Sequence, residues 1–117
     1  MKQMLFPIAM IILAFNANDK LTGRWESAPS PAGNVTGVIF KPDFSFEGYI
    51  NKKPFVTGNY VLKDSLLSFT YNGCEGKEAI YKLIFFSNDD SLRFVPVQDL
   101  CTERKDGMSR LVMGRVR

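Results

Sequence analysis

Four carboxylates, Glu75, Glu78, Glu103 and Asp106, and two cysteines, Cys74 and Cys101, fall in or directly beside the connecting segments of this 117-residue chain. Paired carboxylates can divide acid and base work and a thiolate can attack a carbonyl, but both chemistries usually lean on an imidazole. The chain has no histidine. Carboxylates spread over loops are ordinarily solvated, so no residue is given a catalytic role and the chain reads as non-enzymatic. Two cysteines without histidine partners make a poor metal site. No phosphate loop or dinucleotide fingerprint occurs either, and neither metal nor cofactor is expected.

The amino-terminal residues bear on what the cysteines do instead. Lys2 precedes an uncharged apolar run, Met4 to Phe15, of 12 residues. As a helix it would reach about 18 Å, short of the ~20 residues that span a bilayer. It reads as a signal peptide over residues 1–17, leaving a domain over 18–117 that is secreted or periplasmic and has no membrane span after cleavage. An oxidising compartment favours one disulfide, Cys74 to Cys101. Losing Lys2 lowers the formal net charge from +3 to +2, well short of a nucleic-acid binder's basic profile.

Past residue 18 the apolar residues come in short runs rich in β-branched and aromatic side chains, without a helical period of useful length. Eight such runs occur: Leu21 to Ser27, Val35 to Lys41, Phe44 to Ile50, Phe55 to Lys63, Leu66 to Tyr71, Glu78 to Phe86, Leu92 to Val97 and Arg110 to Val116. Their even spacing predicts an all-β meander, sandwich or barrel. Three connections are tight and carry turn residues, at 41–43, 63–65 and 87–90; they alternate with four longer ones, at 27–34, 50–54, 72–77 and 98–109. In an up-and-down meander that alternation sends the long loops to one rim and the tight turns to the other. Cys74 and Cys101 then meet at the open rim, and their bridge closes about 26 residues, for which chain entropy gives about 3 kcal/mol.

Gly23, Arg24 and Trp25 form a G-x-W on the first strand, and Arg115 on the last strand arrives at the same closed end, with Arg110 as an alternative. The motif resembles that of the lipocalin and wider calycin group, in which a G-x-W packs against an arginine of the last strand. The segments GVIFKPDFSFEGY and VQDLCTER add to the likeness, although the chain is shorter than the familiar ligand carriers and lacks their long flanking helix. The resemblance implies an eight-stranded antiparallel up-and-down β-barrel, lipocalin-like, with one disulfide, sealed by a clasp of Gly23, Trp25 and Arg115. The glycine would leave space beside the indole.

Strand alternation directs Phe40, Phe44, Phe46, Tyr60, Leu67, Phe69, Tyr71, Tyr81, Leu83, Phe85, Leu92, Phe94, Leu111 and Met113 inward. An eight-stranded barrel either fills with such side chains or holds one small ligand. In the second case Phe46, Tyr60, Phe69, Tyr71, Tyr81 and Phe94 are the ligand-binding candidates, for a small apolar or amphipathic molecule. Ile80, Ile84, Phe86, Val95, Val97, Val112 and Val116 would then form an outer apolar stripe on strands six to eight. That stripe, or the open-end loops, is the surface expected for a homodimer or a protein partner, the alternative role being an interaction or inhibitor module.

Overall fold

The computed structural model describes residues 20–117 and closes the eight runs into one antiparallel barrel in chain order. Its strands are β1 (Gly23–Ser27), β2 (Thr36–Phe40), β3 (Ser45–Ile50), β4 (Lys53–Lys63), β5 (Leu66–Tyr71), β6 (Ala79–Phe86), β7 (Ser91–Gln98) and β8 (Val112–Val116). The seam lies between the first and last strands, where Arg24 stands opposite Val116 and Ser27 opposite Met113. The expected leader, residues 1–17, falls outside the described residues. Closure leaves no sheet edge to satisfy, so even five-residue strands keep both hydrogen-bonded neighbours.

Two local expectations are corrected. The connection after β3 is a two-residue hairpin, because Asn51 and Lys52 take left-handed φ of 53° and 70° and β4 begins at Lys53, before Pro54. Asparagine tolerates that conformation, and a bulge at Gly48/Tyr49 accommodates the proline in the strand. The last long loop contains a helix, α1 (Thr102–Ser109), where none was expected. Its residues, TERKDGMS, are almost all polar, so no apolar period announces it, and tertiary contacts hold it instead.

At the closed rim the tight turns use left-handed residues at Asp64, Ser87, Asn88 and Asp89. Phe44, expected inside, sits in the first of these turns with φ 69° and is 45% exposed. A residue needed to bend the chain cannot also begin the strand. Its ring still touches Tyr60, at a centroid distance of 5.9 Å.

The clasp closes this end. Trp25 is buried and its indole donates to the Leu21 carbonyl at 2.9 Å. The Arg115 guanidinium lies 4.3 Å from the centre of the indole ring. It donates to the Lys20 carbonyl at 2.6 Å, the Thr22 carbonyl at 3.3 Å and the Asp89 carbonyl at 3.1 Å. One side chain thus ties the start of the barrel, the β6–β7 turn and the last strand together. Gly23 serves this arrangement by conformation rather than by leaving room: its φ is 130°, and an added Cβ would meet Arg115 at an ordinary 3.5 Å. Arg110 is exposed at the end of α1 and takes no part. Arg115→Ala is expected to cost about 2 kcal/mol and about 10 °C of melting temperature, read by thermal circular dichroism.

Candidate functional site

The interior divides by height. The closed-end half is filled by Leu21, Trp25, Tyr60, Phe85 and Leu92. Towards the open rim the side chains stop short of one another and leave a cavity of about 580 Å³. That volume lies within the roughly 300–1,000 Å³ of small-molecule sites. Its wall is apolar, with Val38, Phe46, Leu67, Phe69, Phe94 and Met113 contributing, and its rim is formed by Ile50 and Phe55 from the β3–β4 strands and by Met108 of α1. Gly48 also faces it, where a Cβ would run into Val56 at 2.7 Å.

A polar cluster sits beneath α1 at one side of the mouth. The Asp99 and Arg104 side chains are 0% and 5% exposed and pair at 2.7 Å. Arg104 Nε donates to Asp99 Oδ2 at 2.9 Å, and Nη1 donates to the Lys77 carbonyl at 3.1 Å, tying α1 to the β5–β6 loop. The Tyr81 hydroxyl donates to Asp99 Oδ2 at 2.5 Å, and the Cys101 N–H donates to Asp99 Oδ1 at 2.9 Å. Burial alone would raise the Asp99 carboxyl, but Arg104, Tyr81 and the Cys101 amide together hold it below the usual carboxylate range. Burial, reinforced by Asp99, pushes the Tyr81 phenol well above its ordinary value, so it remains a donor. The guanidinium also lies 5.4 and 5.3 Å from the Phe69 and Tyr71 ring centres, which line the cavity. Beside it the disulfide Cys74–Cys101 joins the same two loops, with Cα atoms 6.0 Å apart.

Four of the six ligand-binding candidates, Phe46, Phe69, Tyr71 and Phe94, meet at the cavity. Tyr60 and Tyr81 do not line it. The Tyr60 hydroxyl turns to the closed end and donates to the Lys41 carbonyl at 2.8 Å, while that of Tyr81 is taken up by Asp99. Both phenols must satisfy a buried hydroxyl, and a nearer acceptor wins in each case. Arg104 belongs to an open-rim loop as the sequence implies, but Asp99 and the burial of the pair escape sequence reading. Glu75, Glu78, Glu103 and Asp106 are all exposed and are not gathered into one site, although Glu103 reaches the cavity mouth.

The sequence matches no protein-family model and no curated protein. The eight-stranded antiparallel barrel is consistent with a calycin-like fold.

The outer face of β6–β8 carries the expected apolar residues, with Phe86, Val97 and Val112 well exposed. Lys82 and Arg93 are exposed among them, opposite Val95 and Ile84, and divide the stripe. A second outer feature was not foreseen. Tyr49 lies over Gly37, where a Cβ would sit 2.1 Å from the ring. Its hydroxyl donates to Glu26 at 2.5 Å and accepts from Arg24 Nε at 2.8 Å. The middle residue of the G-x-W thus anchors a tyrosine on the outside while its neighbours seal the inside.

Proposed function

We propose that this is an exported, lipocalin-like binding protein that carries a small apolar or amphipathic molecule, without catalysis, in the cavity at the open end. The cavity supports that reading most: about 580 Å³ remains between apolar side chains at one end of a barrel whose other end is filled by buried side chains such as Trp25, Tyr60 and Leu92. An apolar wall draws an apolar body out of water, at ~25 cal/mol per Å² of surface buried, and a few polar groups at the mouth fix its orientation. The disulfide suits an extracellular or periplasmic setting.

Isothermal calorimetry with dodecanol tests the reading. We expect one-site binding to the natural protein and binding weakened by about tenfold or more, about 1.4 kcal/mol, in Met108→Trp, which places an indole across the rim. Absence of heat from the natural protein, together with a bare polypeptide mass in native spectra of protein taken from its own host, would remove the carrier role.

A further inference from the structure

We infer that the cavity selects an uncharged amphiphile, one with an oxygen-bearing neutral head, over a fatty carboxylate. The inference rests on the carrier reading above and adds the class of ligand.

An arginine at the mouth of an apolar cavity invites a carboxylate, and Arg104 is 95% buried there. Its charge, however, is already met. Asp99, fully buried, takes the Nε and Nη2 hydrogens, and the Lys77 carbonyl takes one hydrogen of Nη1. Of the five guanidinium hydrogens, two are left. A second carboxylate reaching for them would face Asp99 across the same guanidinium, in a dehydrated place where like charges repel strongly. Glu103 also lines the cavity, but it is exposed and water screens it. The buried pair of Arg104 and Asp99 is thus neutral and leaves no net positive charge for a carboxylate to meet.

What the mouth offers is neutral hydrogen bonding. The Tyr71 hydroxyl lies 3.2 Å from Cys74 Sγ. A disulfide sulfur has no hydrogen, so Tyr71 is the donor there, to a weak acceptor. Tyr71 and Arg104 both line the cavity, the guanidinium 5.3 Å from the Tyr71 ring centre, so the phenol's lone pairs and the two spare Arg104 hydrogens are the neutral hydrogen-bonding capacity found there. An alcohol can give a hydrogen to Tyr71 and accept from Arg104, and an ester or amide carbonyl can accept from Arg104, without bringing a charge. Lys52, Lys53 and Lys105 are exposed outside the cavity lining, where water and salt screen them.

The test compares dodecanol, methyl dodecanoate and dodecanoate by calorimetry at neutral pH on the natural protein. Dodecanol and the ester are expected to bind at least about tenfold tighter than dodecanoate. Tyr71→Phe is expected to weaken dodecanol by about fivefold, and Asp99→Asn, which frees the charge of Arg104, to shift preference towards dodecanoate. Equal or tighter binding of dodecanoate to the natural protein would overturn the selectivity and leave the carrier reading standing. Failure of all three to bind would remove the carrier reading, and the selectivity with it. Should Asp99→Asn not fold, the natural protein and Tyr71→Phe still decide the matter.

Discussion

Asp99→Ala is expected to destabilise the protein by about 3–5 kcal/mol in urea unfolding followed by circular dichroism, the largest effect of any single substitution outside the apolar core. The reason is what the substitution leaves behind. Arg104 would stay 95% buried with its charge uncompensated, and the Tyr81 hydroxyl and Cys101 amide would lose their acceptor. Removing the whole cluster should cost far less: Asp99→Leu with Arg104→Met and Tyr81→Phe is expected within about 2 kcal/mol of the natural protein, because no orphaned charge remains. A triple variant as unstable as the single one would show that packing, not charge, sets the loss.

The same cluster gives a pH dependence whose direction follows from Asp99. Its carboxyl lies below the usual range in the folded state. Its stabilisation is therefore complete above the unfolded value of ~3.9 and is lost as the pH falls through the lower folded value. Stability measured from neutral pH downwards should hold until about pH 4 and then fall more steeply in the natural protein than in the triple variant.

Replacing Cys74 and Cys101 together by serine is expected to cost about 3 kcal/mol, since the bridge spans 27 positions and restrains the unfolded chain. Location separates this effect from that at Asp99. The disulfide holds the first turn of α1 to the β5–β6 loop, so amide exchange over Thr102–Ser109 should quicken while the Arg115 clasp keeps its protection. The Arg104 to Lys77 hydrogen bond joins the same segments, and α1 should therefore loosen rather than leave the mouth. Loss of protection throughout the barrel at low urea would mean that the bridge holds the fold as a whole.

The architecture was legible because its signals are local and repeated. Alternation in β5, β6 and β7 places Leu67, Phe69, Tyr81, Leu83, Leu92 and Phe94 inside, and it leaves them buried. The two loops carrying the cysteines are both long, and they meet at one rim. Trp25 and Arg115 lie 90 positions apart, yet each sits at the end its strand direction implies. What escaped depends on groups meeting in space. Asp99 and Arg104 are ordinary surface residue types, and only the disulfide, the adjacent helix and the Lys77 carbonyl make their burial affordable. One cue exists in QDLCTER: an acid two residues before a bridged cysteine and a base three after it flank the start of the helix, near enough to pair. Tyr60 and Tyr81 point inward as alternation implies, but they stand off the cavity, because alternation gives the side of the sheet and not the height at which a long side chain finds its acceptor.

Whether the open end holds a ligand can be read at two atoms. Of five methionines, only Met108 and Met113 lie beyond the amino-terminal apolar run, and both line the cavity, one at its rim and one at depth. With methionine methyl groups carbon-labelled and the protein titrated with dodecanol, NMR should show both resonances moving and saturating at the affinity found by calorimetry. Two methyl signals that stay in place at saturating dodecanol would contradict the carrier role.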